Sequence, residues 1–330
     1  MTTEAIDPAA GYITDDAAGE KWRLMLGDSC ERLAEIPDDS IDLSICSPPF
    51  ASLFTYSPSV RDLGNSSTRQ DFLDHYRYII REQYRVTKPG RNACIHVQQL
   101  TTSKVTHGHI GLTDFRGEVI RAFQSEGWIF YGEVTVWKDP QAQSIRTKAF
   151  ALAFATKNRD SAGTRPALAD YLLIFKKPGD NAVPIRHEPN AGEVTNDDWI
   201  DWASPIWFDV DDGADLGGDH LAPIWQGIRE TDTLNVRAGR EDADERHIAP
   251  LQLEFIRRCV LLWSNPGETV LTPFAGIGSE LYVAVKFGRR AIGCELKPSY
   301  WRTAVDNLTR LEEEMAAPSL FDMLDEDVPL

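Results

Sequence analysis

The sequence predicts an α/β fold in which a mostly parallel sheet carries helices on both faces. Apolar runs of strand length alternate with amphipathic runs of helix length from residue 22 onward, which is the βαβ rhythm of a parallel sheet. Most of these runs end near Pro or Gly, which interrupt regular structure. The 330 residues, 42% of them hydrophobic, are enough for one large α/β domain or two smaller ones.

The first half of the chain follows this alternation closely. The run "WRLMLGDS" is a strand that ends at Gly27-Asp28, and "IDLSICSPPF" is a second strand that must stop at its prolines. In chain order we expect strand 22–29, helix 30–36, strand 41–50, an irregular loop 51–70, helix 71–87, strand 91–100, helix 117–126 and strand 128–137.

The second half resumes the alternation after an interruption. Residues 180–245 are acidic, broken by Gly and Pro, and without periodicity, so they are predicted to form a variable insertion. Around it we expect strand 170–179, helix 250–264, strand 267–274, helix 279–288, strand 289–296 and helix 298–315. The predicted organisation is a loosely ordered leader 1–20, one domain built from 21–179 and 246–310, the insertion 180–245 and an acidic tail 311–330.

Composition argues against several classes of protein. No apolar stretch approaches the roughly 18 residues of a membrane span, and no basic-then-apolar secretory signal is present, so we expect a cytoplasmic protein. Five cysteines are scattered without a CxxC or Cys/His cluster, so neither a disulfide framework nor a metal site is predicted.

Charge is distributed unevenly along the chain. The formal net charge of −17 argues at first against a nucleic-acid partner. Between Lys138 and Lys177, however, eight basic residues stand against three acidic ones, a net of +5. Acidic residues are concentrated in 187–245, where sixteen acidic and three basic residues give a net of −13, and in the tail. A basic segment therefore separates two acidic regions.

The stretch "SICSPPF" places a rigid turn at the end of an apolar strand. Pro48 and Pro49 remove two backbone donors and fix two φ angles, so the strand must stop there. Ser47 stands just before them and Phe50 just after. The rigidity of this turn predicts a functional site, and the alternative is a turn that merely ends a strand.

A glycine-containing turn follows another strand, in "VLTPFAGIGSEL". Gly276 and Gly278 stand between this strand and a helix, and the next strand ends in Glu295, seventeen residues after Gly278. Glycines let backbone approach a nucleoside, and a spaced acid binds ribose hydroxyls. A third glycine beneath a pyrophosphate is replaced by Leu281. The pattern therefore favours a nucleoside ligand without pyrophosphate, such as S-adenosylmethionine.

The two motifs together resemble the amino-methylating DNA methyltransferases in their permuted β-class order. "SPPF" resembles the catalytic motif [DNS]PP[YFW], and "TPFAGIGS" resembles the cofactor motif, which comes second in both. The resemblance runs from about residue 22 to 310. It implies a Rossmann-like methyltransferase fold, S-adenosylmethionine as cofactor, and methyl transfer to an exocyclic amine of a DNA base.

The resemblance also assigns site residues. The catalytic residues that it implies are Ser47, Pro48, Pro49 and Phe50. The cofactor-binding residues that it implies are Asp28, Thr272, Phe274, Ala275, Gly276, Gly278, Ser279 and Glu295. The segment 246–260 is similar to the one that helps to close the cofactor pocket in this family.

Two of these assignments differ from the simplest expectation. Asp28 is expected to face the adenine of the cofactor, but it can also cap the helix that follows it. Thr272 stands where the family usually has aspartate. A hydroxyl can accept a hydrogen bond from the methionine ammonium but brings no charge, so we expect a weaker contact there.

The chemistry explains why such a turn needs acceptors. The lone pair of an exocyclic base amine is delocalised into the ring, so acceptors must hold its N–H bonds out of plane while the lone pair attacks the methyl group. The Ser47 hydroxyl and the Pro48 carbonyl are suited to this, and Phe50 can stack on the base. The base must first leave the duplex. Serine at this position favours cytosine N4 within the family, and adenine N6 remains open.

DNA contacts are predicted in two places. Arg61 and Arg69 lie in the loop 51–70, and the basic segment offers further cations for phosphates, namely Arg146, Lys148, Lys157 and Arg165. The alternative is a solvated basic face. The expected partners are double-stranded DNA, a second copy of the chain and a cognate restriction nuclease. The protein is expected to associate with the nucleoid when it acts on DNA. The acidic insertion stands where the family's target-recognition segment lies, although acid is unusual in a DNA reader.

Two rival functions remain compatible with the sequence. One is methylation of RNA or a small molecule, which requires no duplex contacts. The other is a catalytically weak DNA- or cofactor-binding regulator, for which Thr272 is the only hint. The intact residues Ser47, Pro48 and Phe50 argue against a regulator.

Overall fold

A computed structural model describes residues 12–49, 62–63, 66, 68–138, 140, 158, 160–187, 192–207, 232–234 and 250–317. Among the predicted site residues, the following lie outside these ranges: Phe50, Arg61, Arg146, Lys148 and Lys157. Most of the insertion and residues 318–330 of the tail lie outside them as well.

Strands and helices alternate through the described ranges. The strands are β1 (Asp15–Ala18), β2 (Trp22–Leu26), β3 (Ile41–Cys46), β4 (Thr87–Gln98), β5 (Leu100–Thr102), β6 (Gly111–Thr113), β7 (Ile129–Val136), β8 (Asp170–Lys176), β9 (Ile206–Trp207), β10 (Thr269–Thr272) and β11 (Arg290–Glu295). The α-helices are α1 (Ser29–Arg32), α2 (Arg69–Val86), α3 (Lys104–His107), α4 (Phe115–Ser125), α5 (Asn196–Trp202), α6 (Leu253–Trp263), α7 (Ser279–Lys286) and α8 (Pro298–Ala316).

The main sheet has nine strands in the order β1-β2-β11-β10-β3-β4-β8-β7-β9. The five strands from β2 to β4 are parallel to one another. Strand β1 runs antiparallel to β2, and β8 runs antiparallel to both β4 and β7. This arrangement confirms the predicted α/β fold with a mostly parallel sheet, and it adds antiparallel strands on both sides of the parallel centre.

The strand order reverses between β10 and β3. The chain continues from β10 through α7 to β11 on one side, and from β3 through α2 to β4 on the other. In open α/β sheets a crevice forms at the carboxyl edge of the strands where the order reverses. The turns that follow β3 and β10 therefore meet at this crevice.

Two apolar cores cover the two faces of the sheet. Strand β3 is buried along its whole length and contributes to both cores: Leu43 and Ile45 belong to one, and Cys46 belongs to the other. Ile41 also belongs to the second core, because the register of β3 shifts between Ile41 and Leu43. Helices α6, α7 and α8 supply the first core, and helices α2 and α4 supply the second. The strand ends are thus held from both sides.

Helix α2 begins at Arg69, two residues before the predicted start. Thr68 and Asp71 form a capping box, in which each side chain accepts a hydrogen bond from the backbone N–H of the other residue. The box satisfies amides of the first turn and sets the start of the helix. Arg69 is therefore a helical residue and does not belong to a loop.

Several elements differ from the sequence prediction or were not foreseen. Residues 15–18, within the predicted leader, form the edge strand β1. Strands β5 and β6 pair as a separate two-stranded sheet between β4 and α4. Helix α8 extends to Ala316, into the predicted acidic tail. No helix within the described ranges is long and apolar enough to cross a membrane.

Candidate active site

The turn after β3 forms one wall of a cavity at the crevice. Strand β3 ends at Cys46, and Ser47, Pro48 and Pro49 line a cavity of about 380 Å³. Pro48 is buried, whereas Ser47 and Pro49 are half-buried. Two consecutive proline rings restrict the backbone, so this wall keeps its shape.

The turn between β10 and α7 lines the same cavity. Phe274, Ala275 and Gly276 contribute to it. Gly276 has a φ of +53°, and nothing lies within 4 Å of the place where a Cβ atom would stand, so its backbone lies open. Gly278 has a φ of +91°, but a Cβ atom there would lie 3.1 Å from the Cβ atom of Ala304. Gly278 thus allows α7 to pack closely on α8, and it is not among the cavity-lining residues.

Glu295, at the end of β11, closes the cavity beside this turn. Its Oε2 accepts a hydrogen bond of 2.7 Å from the Gly276 N–H, and its Oε1 accepts one of 2.7 Å from the Lys297 N–H. Burial raises the pKa of Glu295 to about 7, and the nearby Asp62 adds to the rise against the two N–H donors. Backbone N–H groups thus position the carboxyl group, which is partly protonated at neutral pH.

Asp28 caps the following helix, and its predicted contact with the adenine of a cofactor stays a prediction. Its Oδ1 accepts a hydrogen bond of 2.9 Å from the Cys30 N–H and caps α1, and the residue also lines the cavity. Next to it, the Ser29 hydroxyl donates a hydrogen bond of 2.5 Å to the Pro273 carbonyl. This contact ties the end of β2 to the turn that follows β10.

Two hydroxyl residues flank the glycine turn and differ in their access to the cavity. Ser279 lines the cavity, and its Oγ has no hydrogen-bond partner among the described residues. Thr272 is 1% exposed and is not among the lining residues, and its Oγ1 has no partner in the described part of the chain either. The Ser279 hydroxyl is therefore available to a ligand, whereas the predicted contact of Thr272 with a ligand has no support from the cavity.

A buried chain of polar groups stands behind Ser47. The Ser47 Oγ lies 3.3 Å from His96 Nδ1 in β4, and His96 Nε2 lies 2.9 Å from Asp170 Oδ2 at the start of β8. His96 is 8% exposed and Asp170 5%. If the proton of the ring is on Nε2, where Asp170 accepts it, then Nδ1 accepts from the Ser47 hydroxyl.

Asp170 remains ionised because cations and donors surround it. Its Oδ2 lies 3.0 Å from Nζ of the buried Lys138, and its Oδ1 accepts a hydrogen bond of 2.7 Å from Gln98 Nε2. Burial alone would raise the pKa of this carboxyl, but the charge of Lys138 and the contact with His96 hold it well below its usual range. A fixed negative charge thus orients the imidazole.

His96, Asp170 and Lys138 were not predicted as site residues from the sequence. The only available signal was a histidine inside the apolar run "ACIHVQQL", where a polar group must find a partner. The partner Asp170 is 74 residues away, and it comes close because β8 pairs antiparallel with β4.

Comparison with known proteins decides the family. A family model described as DNA methylase, of the N6/N4 class, matches residues 41–306. The chain belongs to this amino-methylating DNA methylase family. The Type II methyltransferase M1.MboII of Moraxella bovis is 39% identical over 287 residues, which cover 85% of this chain and 94% of the relative.

Solved structures share the fold of this methylase. A protein of Thermus thermophilus, described as a putative DNA modification methylase complexed with S-adenosyl-L-methionine, has a TM-score of 0.60 at 22% identity and covers 87% of this chain and 94% of its own. PvuII DNA methyltransferase, described as cytosine-N4-specific, has a TM-score of 0.58 at 16% identity and covers 90% and 93%. The predicted family and the methyltransferase fold are confirmed.

The described DNA-contact candidates of the methylase are engaged within the chain. The Nε atom of Arg69 lies 2.6 Å from Oε2 of Glu118 in α4. The half-buried Arg165 donates a hydrogen bond of 3.2 Å to the Pro166 carbonyl. Neither arrangement supports a phosphate contact, and the predicted roles of both residues remain predictions. The described ranges hold no cluster of side chains suited to a metal ion.

Proposed function

We propose that this methylase transfers a methyl group from S-adenosylmethionine to the exocyclic amine of a base flipped out of duplex DNA, with cytosine N4 as the favoured target. One observation carries the proposal: the rigid Ser47 turn and the Gly276–Glu295 pair open into a single cavity. A cofactor bound at the Gly276–Glu295 pair can therefore present its methyl group to a base held at the Ser47 turn.

The residues on the cofactor side suit a nucleoside with an amino-acid tail. The two oxygens of Glu295 can accept hydrogen bonds from ribose hydroxyls, and Gly276 leaves room for the sugar. The unpartnered Ser279 hydroxyl offers a further polar contact. When bound, S-adenosylmethionine supplies an electrophilic methyl group on its sulfonium.

The Ser47 turn orients the amine. The Ser47 hydroxyl donates to His96, which leaves the oxygen lone pairs of Ser47 facing the cavity. One lone pair accepts an N–H of the target amine, and the Pro48 carbonyl is the second acceptor that we assign. The amine lone pair is then free to attack, because the N–H bonds are held away from the plane of the base.

The same chain of groups takes the proton that the amine must lose. As the new N–C bond forms and the S–C bond breaks, the amine nitrogen becomes positive and gives a proton to Ser47 Oγ. Ser47 passes its own proton to His96 Nδ1, and the resulting imidazolium is stabilised by Asp170. Ser47 ends the cycle unchanged, so no covalent intermediate is required.

The choice of cytosine N4 rests on the serine at position 47, within the family resemblance. A hydroxyl accepts a hydrogen bond from either base amine, so the cavity is compatible with both cytosine N4 and adenine N6. The experiment must therefore distinguish these two targets. As partners we propose duplex DNA and a cognate restriction nuclease, since the M1.MboII relative is named a Type II methyltransferase.

Nucleoside mass spectrometry tests this proposal. DNA from cells that express the methylase should contain N4-methylcytosine, at a much lower level in cells that express Ser47→Ala. N6-methyladenine in place of N4-methylcytosine would overturn the choice of base. Labelled methyl groups appearing in RNA and not in duplex DNA, in a competition between the two, would overturn the DNA substrate itself.

A second prediction concerns Glu295. Glu295→Ala should weaken binding of S-adenosylmethionine roughly 10- to 100-fold in calorimetry, because hydrogen bonds between ribose hydroxyls and a carboxylate are lost. Since the pKa of Glu295 is raised to about 7 and hydroxyl donors favour its ionised form, wild-type affinity should rise with pH through neutrality. Glu295→Gln keeps the shape and should lose the part of that rise that comes from Glu295, whereas the cavity acid Glu280, whose pKa is raised to about 8, still titrates in the variant. Equal affinities in wild type and both variants would exclude the role assigned to Glu295.

A further inference from the structure

Glu280 is a buried acid that lines the cavity, where a ligand can contact it. It is the second residue of α7, it is 5% exposed, and it lines the cavity. Within the described residues it forms no ion pair, and its own backbone N–H is the hydrogen-bond donor at its carboxylate. Burial raises the pKa of this carboxyl to about 8, and the charge of Glu295 adds to the rise.

Two buried acids in strands β3 and β8 have cations beside them. Asp42 lies 2.6 Å from Lys88 Nζ, and Asp170 lies 3.0 Å from Lys138 Nζ. Burying a carboxylate without such a partner is unfavourable, and a neutral side chain at the start of α7 would avoid it. The arrangement is explained if the partner arrives with the ligand.

The surroundings of Glu280 place it at one part of that ligand. Its carboxylate is near enough to Glu295 for the two charges to interact. It also interacts with Cys46, whose thiol pKa is raised first by burial and then by the charge of Glu280. Glu280 lines the same cavity as Glu295, which is assigned to the ribose, and Ser47, which is assigned to the target amine. In S-adenosylmethionine the positive sulfonium joins the ribose to the methyl group, and the methionine chain with its positive ammonium branches from that sulfur.

We infer that Glu280 binds the positive charge of the methionine part of S-adenosylmethionine. The inference rests on the proposed function, since it takes the cofactor to lie in this cavity. Thr272, which the sequence put forward for the ammonium, is buried outside the cavity lining, whereas Glu280 is inside it. Cation binding therefore comes from the helix that follows the glycine turn and not from the strand that precedes it.

Calorimetry with three ligands tests this role without any DNA. The ligands are S-adenosylmethionine, S-adenosylhomocysteine, which has the ammonium but no sulfonium, and 5′-methylthioadenosine, which has neither. Glu280→Gln should weaken S-adenosylmethionine roughly 10- to 100-fold and leave 5′-methylthioadenosine unchanged. If Glu280→Gln also binds S-adenosylhomocysteine more weakly, Glu280 contacts the ammonium. If its affinity for S-adenosylhomocysteine is unchanged, Glu280 contacts the sulfonium. Equal weakening of all three ligands, or of none, overturns the inference.

Thermal unfolding of the ligand-free protein provides the second measurement. Glu280→Gln removes a buried charge that has no ion-pair partner among the described residues, so its Tm at pH 8.5 should equal or exceed that of wild type, with the exposed substitution Glu313→Gln as control. A clear fall in Tm would show that the carboxylate has a structural partner and would overturn the inference. Failure of wild type to bind S-adenosylmethionine would instead contradict the proposed function.

Discussion

Ser47→Ala is expected to slow methyl transfer roughly 10²- to 10³-fold while S-adenosylmethionine still binds, because it removes one oriented acceptor and the first group of the proton path. The Ser47 Oγ lies 3.3 Å from His96 Nδ1 and borders the cavity, so alanine leaves the rigid turn in place and deletes only the hydroxyl. Single-turnover methylation with cytosine and adenine duplexes measures the effect on the chemical step.

Ser47→Asp is the matched variant for this experiment. A carboxylate restores an acceptor toward the base, so measurable activity should return, and the preference between cytosine and adenine is the second readout. Ser47→Ala methylating as fast as wild type would contradict the mechanism. So would a methylated or base-linked serine trapped during turnover, since the mechanism passes a proton through Ser47 and forms no bond to it.

The parts of the site that follow local rules were predictable from the sequence. Two prolines end β3 because they cannot donate backbone hydrogen bonds to a sheet, and a glycine turn after β10 with an acid at the end of β11 is the pattern from which the sequence predicts a nucleoside site. The sequence could not show which glycine faces the ligand. Gly276 borders the cavity, whereas Gly278 packs on Ala304, and only the position of α8 separates these roles.

The remaining part of the site depends on pairing between distant segments. His96 acquires Asp170 because β8 inserts antiparallel next to β4, which the βαβ rhythm does not predict. Lys138 then joins them from the residues after β7. Glu280 was likewise unremarkable in sequence, since an acid in the first turn of a helix is common, and its burial in the cavity gives it significance.

The ion pair between Asp170 and Lys138 leads to the largest expected loss of stability. Asp170→Asn should lower the free energy of unfolding by about 3–5 kcal/mol, because it leaves the buried ammonium of Lys138 without its counter-charge. The low pKa of Asp170 gives the sign of the pH dependence. Its stabilising contribution is present above the usual pKa of 3.8 and is lost as the pH falls below that value. Lowering the pH should therefore reduce the difference in free energy of unfolding between wild type and variant.

In the double variant Asp170→Asn with Lys138→Met, we expect stability to recover while methyl transfer stays slow. Replacing both charges removes the unpaired ammonium, so denaturant unfolding should recover most of the lost stability. Methyl transfer should remain slow, on the order of 10²-fold below wild type, because an amide at position 170 can donate to His96 Nε2 and move the ring proton to Nδ1. The Ser47 hydroxyl would then lose its acceptor, and the Nδ1–H of His96 would donate to Ser47 Oγ and compete with the target amine for its lone pairs. Recovery of the rate together with stability would show that Asp170 only balances Lys138, and the proton path from Ser47 through His96 would have to be abandoned.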